Sequence, residues 1–449
     1  MATPFSTQIP KIDPSRRPPQ RPALRPDNTP DNEDRVEIGP TALAFEEWRA
    51  AGLECPDLQA MRRHRWQRLT EAIVVRDYAG LLIYDPLSIR YATDTTNMQL
   101  WAAHNPFRAC LLLADGHMVL WEYGGLRHLS AFNPLVKEVR LGGSFFYFST
   151  GDRTEEKAEL FARQVDELMR EHAPGNRRLA VDKIQIAGLR ALDRLGIEVM
   201  DGEEVTERTR AVKGVEEIRA MRCAMHACEQ AVAGMRAAAR PGITENDLWA
   251  ELHWENIRRG GEWIETRILS SGPRTNPWFQ ECGPRVLRNN ELVSWDSDLV
   301  GCYGMCADIS RSWFIGDGEP SDEQKRLHAI ALEHIMTNRE LLKPGVTFRE
   351  LSLGGHLLPE EFVKQRYGSK FHGVGLCDEW PAIPYPEDLE AKGYDGVLEP
   401  GMMLCVEVYL GAVGAPDGIK LENQVLITED GYEDLTNCPF DEKLMGAVG

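Results

Sequence analysis

The first half of the chain alternates short apolar runs with longer charged stretches. Four runs are short enough for strands and are followed within three residues by aspartate or glycine: 80–84, 109–113, 117–122 and 179–181. Asp115-Gly116, between the second and third runs, predicts a β-hairpin. Residues 154–172 carry their charges along one face and predict a helix. The pattern therefore predicts an α/β amino-terminal domain over residues 41–207.

Helical periodicity is clearest just after this region. Apolar side chains recur at alternating spacings of three and four: Ile218, Met221, Met225, Cys228, Val232 and Met235. The run stops at Arg240-Pro241-Gly242, and such a stripe is typical of core packing. Ser321 and Thr347 are each followed three residues later by glutamine or glutamate, which predicts a capped helix start at both positions. Helices alternating with short strands predict an α+β carboxy-terminal domain over residues 208–449.

The first 40 residues are rich in proline, arginine and aspartate and cannot bury a core of their own. This segment is either a disordered tail or an extended arm that lies on a second subunit. A formal net charge of −19 argues against nucleic acid and anionic membranes as general partners.

The ten cysteines form no CxxC pair, and no apolar run approaches the ~18 residues that span a bilayer. The first residues contain arginines but no hydrophobic stretch, unlike a signal peptide. We therefore expect a cytoplasmic protein with reduced thiols and no disulfide framework.

Acidic residues and one histidine recur in the last third of the chain in an order that suits two adjacent metal ions. They are Asp296, Asp298, Asp308, His372, Glu407 and Glu422. The run 292–300 has strand character, so Asp296 and Asp298 are expected to project from one side. Glu407 and Glu422 stand within apolar strand-like runs, where a carboxylate is costly to bury unless it is paired or metal-bound. The set predicts a dinuclear centre, for which spacing alone does not choose among iron, manganese, zinc, cobalt and nickel.

The ordered pattern over residues 205–440 resembles the creatinase/aminopeptidase family of metalloenzymes, which includes methionine aminopeptidase and prolidase. The resemblance rests on Lys213, Glu216-Glu217-Ile218, Asp308-Ile309-Ser310-Arg311, His372-Gly373-Val374-Gly375-Leu376, Glu399-Pro400-Gly401-Met402, Glu407 and Leu421-Glu422-Asn423. It implies an α+β pita-bread fold for the carboxy-terminal domain, preceded by the smaller α/β domain.

The chain departs from the family hydrolases at two places. Two aspartates, Asp296 and Asp298, precede Asp308 where one is expected, and either or both are ligands. Asp378 stands before Glu379-Trp380-Pro381, where the family peptidases keep a second histidine. An aspartate cannot donate a hydrogen bond unless it is protonated, whereas its carboxylate is suited to removing a proton. This replacement argues against a peptidase.

With this replacement the chain resembles the dimethylsulfoniopropionate lyases of the same fold, the DddP type. The resemblance implies β-elimination to dimethyl sulfide and acrylate, with the substrate carboxylate on the dinuclear site, iron as the first choice of metal and Asp378 as the general base. A sulfonium cation is attracted to aromatic faces, so Tyr367 and Trp380 are the candidate substrate-binding residues. Trp101, Phe107, Trp278 and Phe279 are further aromatic candidates.

The family resemblance and the proline-rich lead imply a homodimer. Two alternatives remain open: an Xaa-Pro dipeptidase-like metallohydrolase, and a binding module without activity on the same scaffold. The missing histidine argues against the metallohydrolase, and the intact ligand set argues against the binding module.

Overall fold

The computed structural model describes residues 23–446, apart from 33–35, 37 and 125. Most of the lead predicted over residues 1–40 therefore lies outside the described residues. Its described part forms a small antiparallel pair, β1 (Ala23–Leu24) and β2 (Pro30–Asp31). The Tyr303 hydroxyl donates a hydrogen bond to the Pro26 carbonyl at 3.3 Å, so this part of the lead contacts the body of its own chain.

The amino-terminal half builds a six-stranded mixed sheet in the order β6-β5-β4-β3-β7-β8. Its elements are α1 (Ala42–Ala50), α2 (Leu58–Val75), β3 (Gly80–Ile83), α3 (Pro86–Thr93), α4 (Gln99–His104), β4 (Ala109–Leu113), β5 (Met118–Trp121), β6 (Val136–Arg140), α5 (Tyr147–Thr150), α6 (Thr154–His172), β7 (Arg178–Val181), α7 (Ile186–Arg194), β8 (Glu198–Asp201) and α8 (Glu203–Ala211). The predicted hairpin is confirmed, because β4 and β5 pair antiparallel around Asp115-Gly116. The predicted helix over residues 154–172 is also confirmed.

The second half builds an eight-stranded sheet in the order β10-β11-β14-β18-β17-β15-β16, with β19 paired to β18. Its elements are α9 (Val215–Ala238), α10 (Glu245–Arg258), β9 (Trp263–Ile264), β10 (Leu269–Ser271), β11 (Glu291–Asp296), β12 (Leu299–Val300), β13 (Cys306–Ala307), β14 (Ser310–Ile315), α11 (Asp322–Arg339), α12 (Phe348–Leu353), α13 (Glu360–Val363), β15 (Phe371–Val374), β16 (Asp378–Ile383), α14 (Leu389–Lys392), β17 (Met403–Leu410), β18 (Ile419–Ile427), β19 (Tyr432–Asp434) and α15 (Glu442–Met445).

Helices cover this second sheet, and their starts follow the sequence signals. The capping boxes at Ser321 and Thr347 are both formed. The methionine stripe of α9 is buried in the core, as predicted, and α10 packs against α9 while α11 lies on β17 and β18. Among the described residues, no helix has the length and apolar character that crossing a membrane requires.

One prediction about the strands that carry the candidate ligands is wrong. Residues 292–300 do not form a single strand: β11 ends at Asp296, and β12 begins at Leu299. Asp298 lies in the break with a positive φ of 36°, and the returning chain has a matching break at Asp308-Ile309 between β13 and β14. The alternation of side chains along a continuous strand therefore does not determine the directions of Asp296 and Asp298. The backbone conformation of the break between the two strands determines them instead.

Candidate metal centre

Neighbouring strands of the second sheet carry four of the six predicted ligands, and the breaks beside β11 and β14 carry Asp298 and Asp308. Strand register aligns Asp296 with Ser310, Ser310 with Glu422, and Glu422 with Glu407 across four adjacent strands. Directly opposed residues point to the same face of a sheet, so these polar side chains form one row. His372 on β15 pairs with Cys405, which lies two positions before Glu407 and so shares its face. All six predicted ligands are buried.

His372 points its ring into the group of acids. Its Nε2 lies 3.1 Å from Glu422 Oε1, 3.4 Å from Glu407 Oε1 and 3.7 Å from Asp308 Oδ2. Its Nδ1 lies 3.1 Å from the Gly373 carbonyl oxygen and 3.6 Å from Asp378 Oδ1. The backbone carbonyl therefore orients the ring, and Nε2 is the nitrogen presented to a metal.

Asp298 and Asp378 extend the group on another side. One oxygen each from Asp298, Asp308 and Asp378 lies within 4.8 Å of the others. Thr266 Oγ1 donates a hydrogen bond to Asp298 Oδ2 at 2.5 Å, which fixes that carboxylate. The side chain of Asp378 is 55% exposed, unlike the six predicted ligands. Asp378 therefore lies beside the predicted ligands and is also accessible from solvent.

Lys420 is a member of this group that the sequence analysis missed. Its side chain is fully buried, and its Nζ lies 2.8 Å from Glu422 Oε2, 2.9 Å from Glu407 Oε2 and 3.1 Å from Asp296 Oδ2. Ser310 Oγ accepts a fourth contact from the same ammonium at 2.8 Å. The strand period was the available signal, because residues 420 and 422 of one strand must share a face. Lys420 therefore neutralises part of the negative charge of the acidic row. The carboxylate oxygens on the side of His372 remain available to bind metal cations.

Charge repulsion between the acids is visible in their pKa values. Burial raises the pKa of Glu407 to about 7 and that of Asp296 to about 6, with Glu422 adding to both shifts and Lys420 opposing them. Burial and nearby carboxylates raise the pKa of Asp308 well above its usual range. The pKa of Glu422 is lowered instead, because Lys420 and His372 outweigh its burial. Full ionisation of all the carboxylates would therefore exceed the positive charge of Lys420 and His372, and the raised pKa values reflect protons that take up this excess.

The side chains fit divalent metal ions on their own chemistry. Asp308 Oδ1 is buried without a hydrogen-bond partner among the described residues, although buried carboxylate oxygens are normally satisfied. Asp308 and His372 also meet Glu422 and Cys405 in a second group whose ligand atoms lie within 4.8 Å. Carboxylate oxygens with one imidazole suit first-row divalent ions, and such ions would supply the missing positive charge.

The two aromatic candidates differ in their surroundings. The Tyr367 ring lies 4.5 Å from Lys420 Nζ, and Glu407 is the charge that adds most to burial in raising the pKa of Tyr367. Tyr367 therefore borders the acids that are predicted to bind metal. The ring of Trp380 lies 4.9 Å from the guanidinium of Arg208 and packs against Phe348 and Tyr394. Each ring therefore already faces a cation of the protein, Lys420 for Tyr367 and Arg208 for Trp380.

Sequence relatives identify the family of this chain. Residues 219–429 match the model of metallopeptidase family M24. Dimethylsulfoniopropionate lyase DddP of Roseovarius nubinhibens is 60% identical over 441 residues, which are 97% of this chain and 98% of the relative. The protein of the same name from Roseobacter denitrificans has the same identity and coverage. The chain belongs to the M24 family, in its DddP branch.

Peptidase relatives of the M24 family are more distant. The uncharacterized peptidase YqhT of Bacillus subtilis is 24% identical, over 72% of this chain and 94% of the relative. Among solved structures, the Xaa-Pro dipeptidase from Bacillus anthracis superposes with a TM-score of 0.67 at 23% identity, over 84% of this chain and 98% of the other. The likeness to that structure shows the pita-bread fold and confirms the predicted fold class. It does not distinguish the chemistry of this M24 member from that of a dipeptidase.

Proposed function

We propose that this chain is a carbon–sulfur lyase that cleaves dimethylsulfoniopropionate to dimethyl sulfide and acrylate by β-elimination. Identity of 60% over nearly the whole chain to two proteins of that name carries the proposal. The site agrees with it, because Asp378 is a solvent-accessible carboxylate beside the predicted metal ligands. A carboxylate at this place suits the removal of a proton from carbon.

The proposed cofactor is a pair of divalent ions, with iron first and manganese, zinc, cobalt or nickel as the other choices. The residues that would hold them are Asp296, Asp298, Asp308, His372, Glu407 and Glu422. Bound dications would withdraw charge from the substrate carboxylate and so favour loss of the neighbouring proton. Lys420, held among three of these acids, limits how far Asp296 can turn toward an ion.

Asp378 is proposed as the general base. It takes the proton from the carbon next to the substrate carboxylate. The electron pair of that C–H bond forms the double bond of acrylate, and the C–S bond breaks with its electron pair on sulfur. Dimethyl sulfide leaves as a neutral molecule, so the positive charge of the sulfonium is cancelled in the step. The 3.6 Å contact to His372 Nδ1 keeps Asp378 directed toward the acids.

Tyr367 and Trp380 were both predicted to contact the substrate. The surroundings of the two rings support a substrate position near Tyr367. Tyr367 borders the acids that would hold the metal ions, whereas Trp380 packs with Arg208, Phe348 and Tyr394. We therefore propose that the substrate extends from the metal-binding acids toward Tyr367. Trp380 then acts through packing of the strand that begins at Asp378.

The proposed assembly is a cytoplasmic homodimer of two-domain subunits, divided near residues 207 and 208. An aromatic cluster on the amino-terminal domain supports it, because exposed apolar patches often mark protein interfaces and two rings of the cluster are exposed. The rings of Trp101, Phe107, Tyr123, Phe146 and Phe148 contact one another there, and Tyr123 and Phe148 are exposed. Light scattering coupled to size-exclusion chromatography tests this, since a monomeric mass at micromolar concentration contradicts the dimer.

An Xaa-Pro dipeptidase-like activity is the second candidate, because solved dipeptidases share the fold. The two are separated by incubating the metal-loaded protein with dimethylsulfoniopropionate and, separately, with Xaa-Pro dipeptides. Release of dimethyl sulfide into the headspace without dipeptide hydrolysis is the expected result. Dipeptide hydrolysis without sulfide release would establish the hydrolase, and neither activity in protein with substoichiometric metal would favour a binding module.

A further inference from the structure

Phe279 is an exposed aromatic residue in an unfavourable backbone conformation. Its side chain and backbone are 61% exposed, and its φ is +65°. A bulky side chain rarely adopts this left-handed region, and such outliers concentrate at functional sites. The preceding Trp278 is buried instead and stacks on Tyr409. The backbone at this point therefore presents one aromatic ring to the outside while it buries its neighbour.

A short series of contacts links Phe279 to the metal-binding acids. Lys420 Nζ, which the acids hold, lies 4.5 Å from the centre of the Tyr367 ring. The Tyr367 ring stacks on the Phe279 ring with centroids 5.2 Å apart and planes inclined by 24°. Lys420, Tyr367 and Phe279 thus lead outward in order from the buried acids to an exposed surface.

Tyr367 is poorly placed to hold a second cation. Its ring already faces the Lys420 ammonium, and that ammonium is fixed by three carboxylates within 3.1 Å. A sulfonium placed on the same ring would lie close to a like charge in a partly buried site, where such repulsion is weakly screened. The Phe279 ring is one step further from Lys420, and its exposure leaves it free to receive a ligand.

We propose that Phe279 forms the binding face for the cationic end of the substrate, a small alkylated onium group whose other end is a carboxylate. The proposal rests on the proposed function and deepens it. The quadrupole of an aromatic ring attracts weakly hydrated onium ions, which is the recognition used for quaternary ammonium ligands. Tyr367 then supports the Phe279 ring and separates the substrate cation from Lys420.

Two carboxylate ligands of similar shape separate charge recognition from simple packing. One is 3-(trimethylammonio)propanoate, which carries a quaternary ammonium, and the other is 4,4-dimethylpentanoate, in which an uncharged carbon replaces the ammonium nitrogen. Calorimetry on the metal-loaded protein gives the Kd of each for the wild type, Phe279→Leu and Phe279→Asn. Leucine keeps an apolar side chain without a ring, and asparagine tolerates the positive φ, so at least one variant retains the backbone of the loop.

Loss of the ring is expected to weaken binding of the ammonium ligand by about 2- to 30-fold in Kd. The Kd of 4,4-dimethylpentanoate is expected to change by less than about 2-fold in the same variants. Phe279→Tyr, which keeps an aromatic face, should bind the ammonium ligand like the wild type. Trp254→Leu, at an exposed aromatic residue on α10, is the matched control and should change neither Kd.

Equal weakening of both ligands, or no weakening of either, overturns the role of Phe279. The proposed function is tested separately by headspace detection of dimethyl sulfide from the wild-type protein. Sulfide release with no dependence of onium binding on Phe279 would reject this inference alone. Ring-dependent onium binding without sulfide release would reject the lyase while keeping the onium-binding face.

Discussion

Asp308 is the residue on which the two parts of the candidate metal centre converge. It belongs both to the group with His372 and Glu422 and to the group with Asp298 and Asp378. Its Oδ1 has no hydrogen-bond partner among the residues that the structure describes, and its backbone N–H is held by Gln424 at 3.1 Å. In this position the Asp308 carboxylate would be within reach of both ions of the proposed pair. Its negative charge is therefore expected to contribute more to metal binding than the charge of any exposed acid.

We predict that Asp308→Asn loses most of its bound metal. The amide keeps the shape of the side chain but removes the negative charge that a bridging ligand supplies. Elemental analysis of the purified variant, beside the wild type prepared in parallel, measures this directly. Full metal occupancy in Asp308→Asn would remove Asp308 from the ligand set.

At the residue scale, the sequence grouped five acids with His372 but missed Lys420. Glu407 and Glu422 were proposed as ligands because carboxylates in apolar runs need a partner, and the burial of all six predicted ligands agrees with that reasoning. Lys420 was overlooked, although its place two residues before Glu422 puts both on one face of β18. Ser310 was overlooked as well, because only strand register shows that it stands between Asp296 and Glu422.

At the scale of elements, a buried ion cluster holds the strand that carries Asp378. Glu379, the next residue of β16, is buried and lies 3.0 Å from Lys213 Nζ and 3.2 Å from Arg210 Nε. Its Oε1 also accepts a hydrogen bond from the backbone N–H of Leu376 at 2.9 Å. Lys213 and Arg210 outweigh burial and lower the pKa of Glu379, so the cluster is ionised. The cluster joins the end of α8 to the beginning of β16.

We predict that Glu379→Ala lowers the free energy of unfolding by about 3–5 kcal/mol, because it leaves the buried Lys213 without its carboxylate and leaves Arg210 with Glu207 alone. Urea denaturation measures the change. Glu323→Ala is the matched control: it removes an exposed partner of Arg326, and its cost should stay below about 1 kcal/mol. A loss at Glu379 no larger than the control would show that the cluster does not stabilise this junction.

Element boundaries explain the main error of the sequence analysis. The hairpin at Asp115-Gly116 and the capped helices followed from local signals, since turn residues and capping boxes act within a few positions. The break between Asp296 and Leu299 did not, because Ser297 makes its contacts with the returning strand. Ser297 Oγ donates to the Ala307 carbonyl and accepts from the Ile309 N–H. Tertiary hydrogen bonds of this kind leave no local sequence pattern.

At the scale of the whole molecule, the centre places a concentration of negative charge inside an acidic protein. The net charge is −19, and the acids of the centre add mutual repulsion where water cannot screen it. Protons or metal ions must balance this charge. The stability of the metal-free protein is therefore expected to depend on pH more steeply than that of the metal-loaded protein.

We predict that the difference in Tm between metal-loaded and metal-free protein grows as pH rises from 5.5 to 8. Glu407, with a pKa of about 7, and Asp296, with a pKa of about 6, hold protons in the folded state that the unfolded chain has released. The folded pKa of His372 is raised, so its contribution is also lost as pH rises. The lowered pKa of Glu422 contributes fully throughout this range. Thermal unfolding with and without chelator measures this difference in Tm. A difference that stays constant between pH 5.5 and 8 would contradict the role given to the buried acids.

In the proposed reaction, the Asp378 carboxylate removes a proton from a substrate whose own carboxylate would be held by bound metal ions. Elemental analysis and headspace measurement of dimethyl sulfide, made on one purified sample of Asp378→Ala, test both parts of this reaction. We predict metal content equal to that of the wild type and a loss of sulfide release of about 10²–10⁴-fold or more. Undiminished release would contradict the base, and loss of the metal would place Asp378 among the ligands instead.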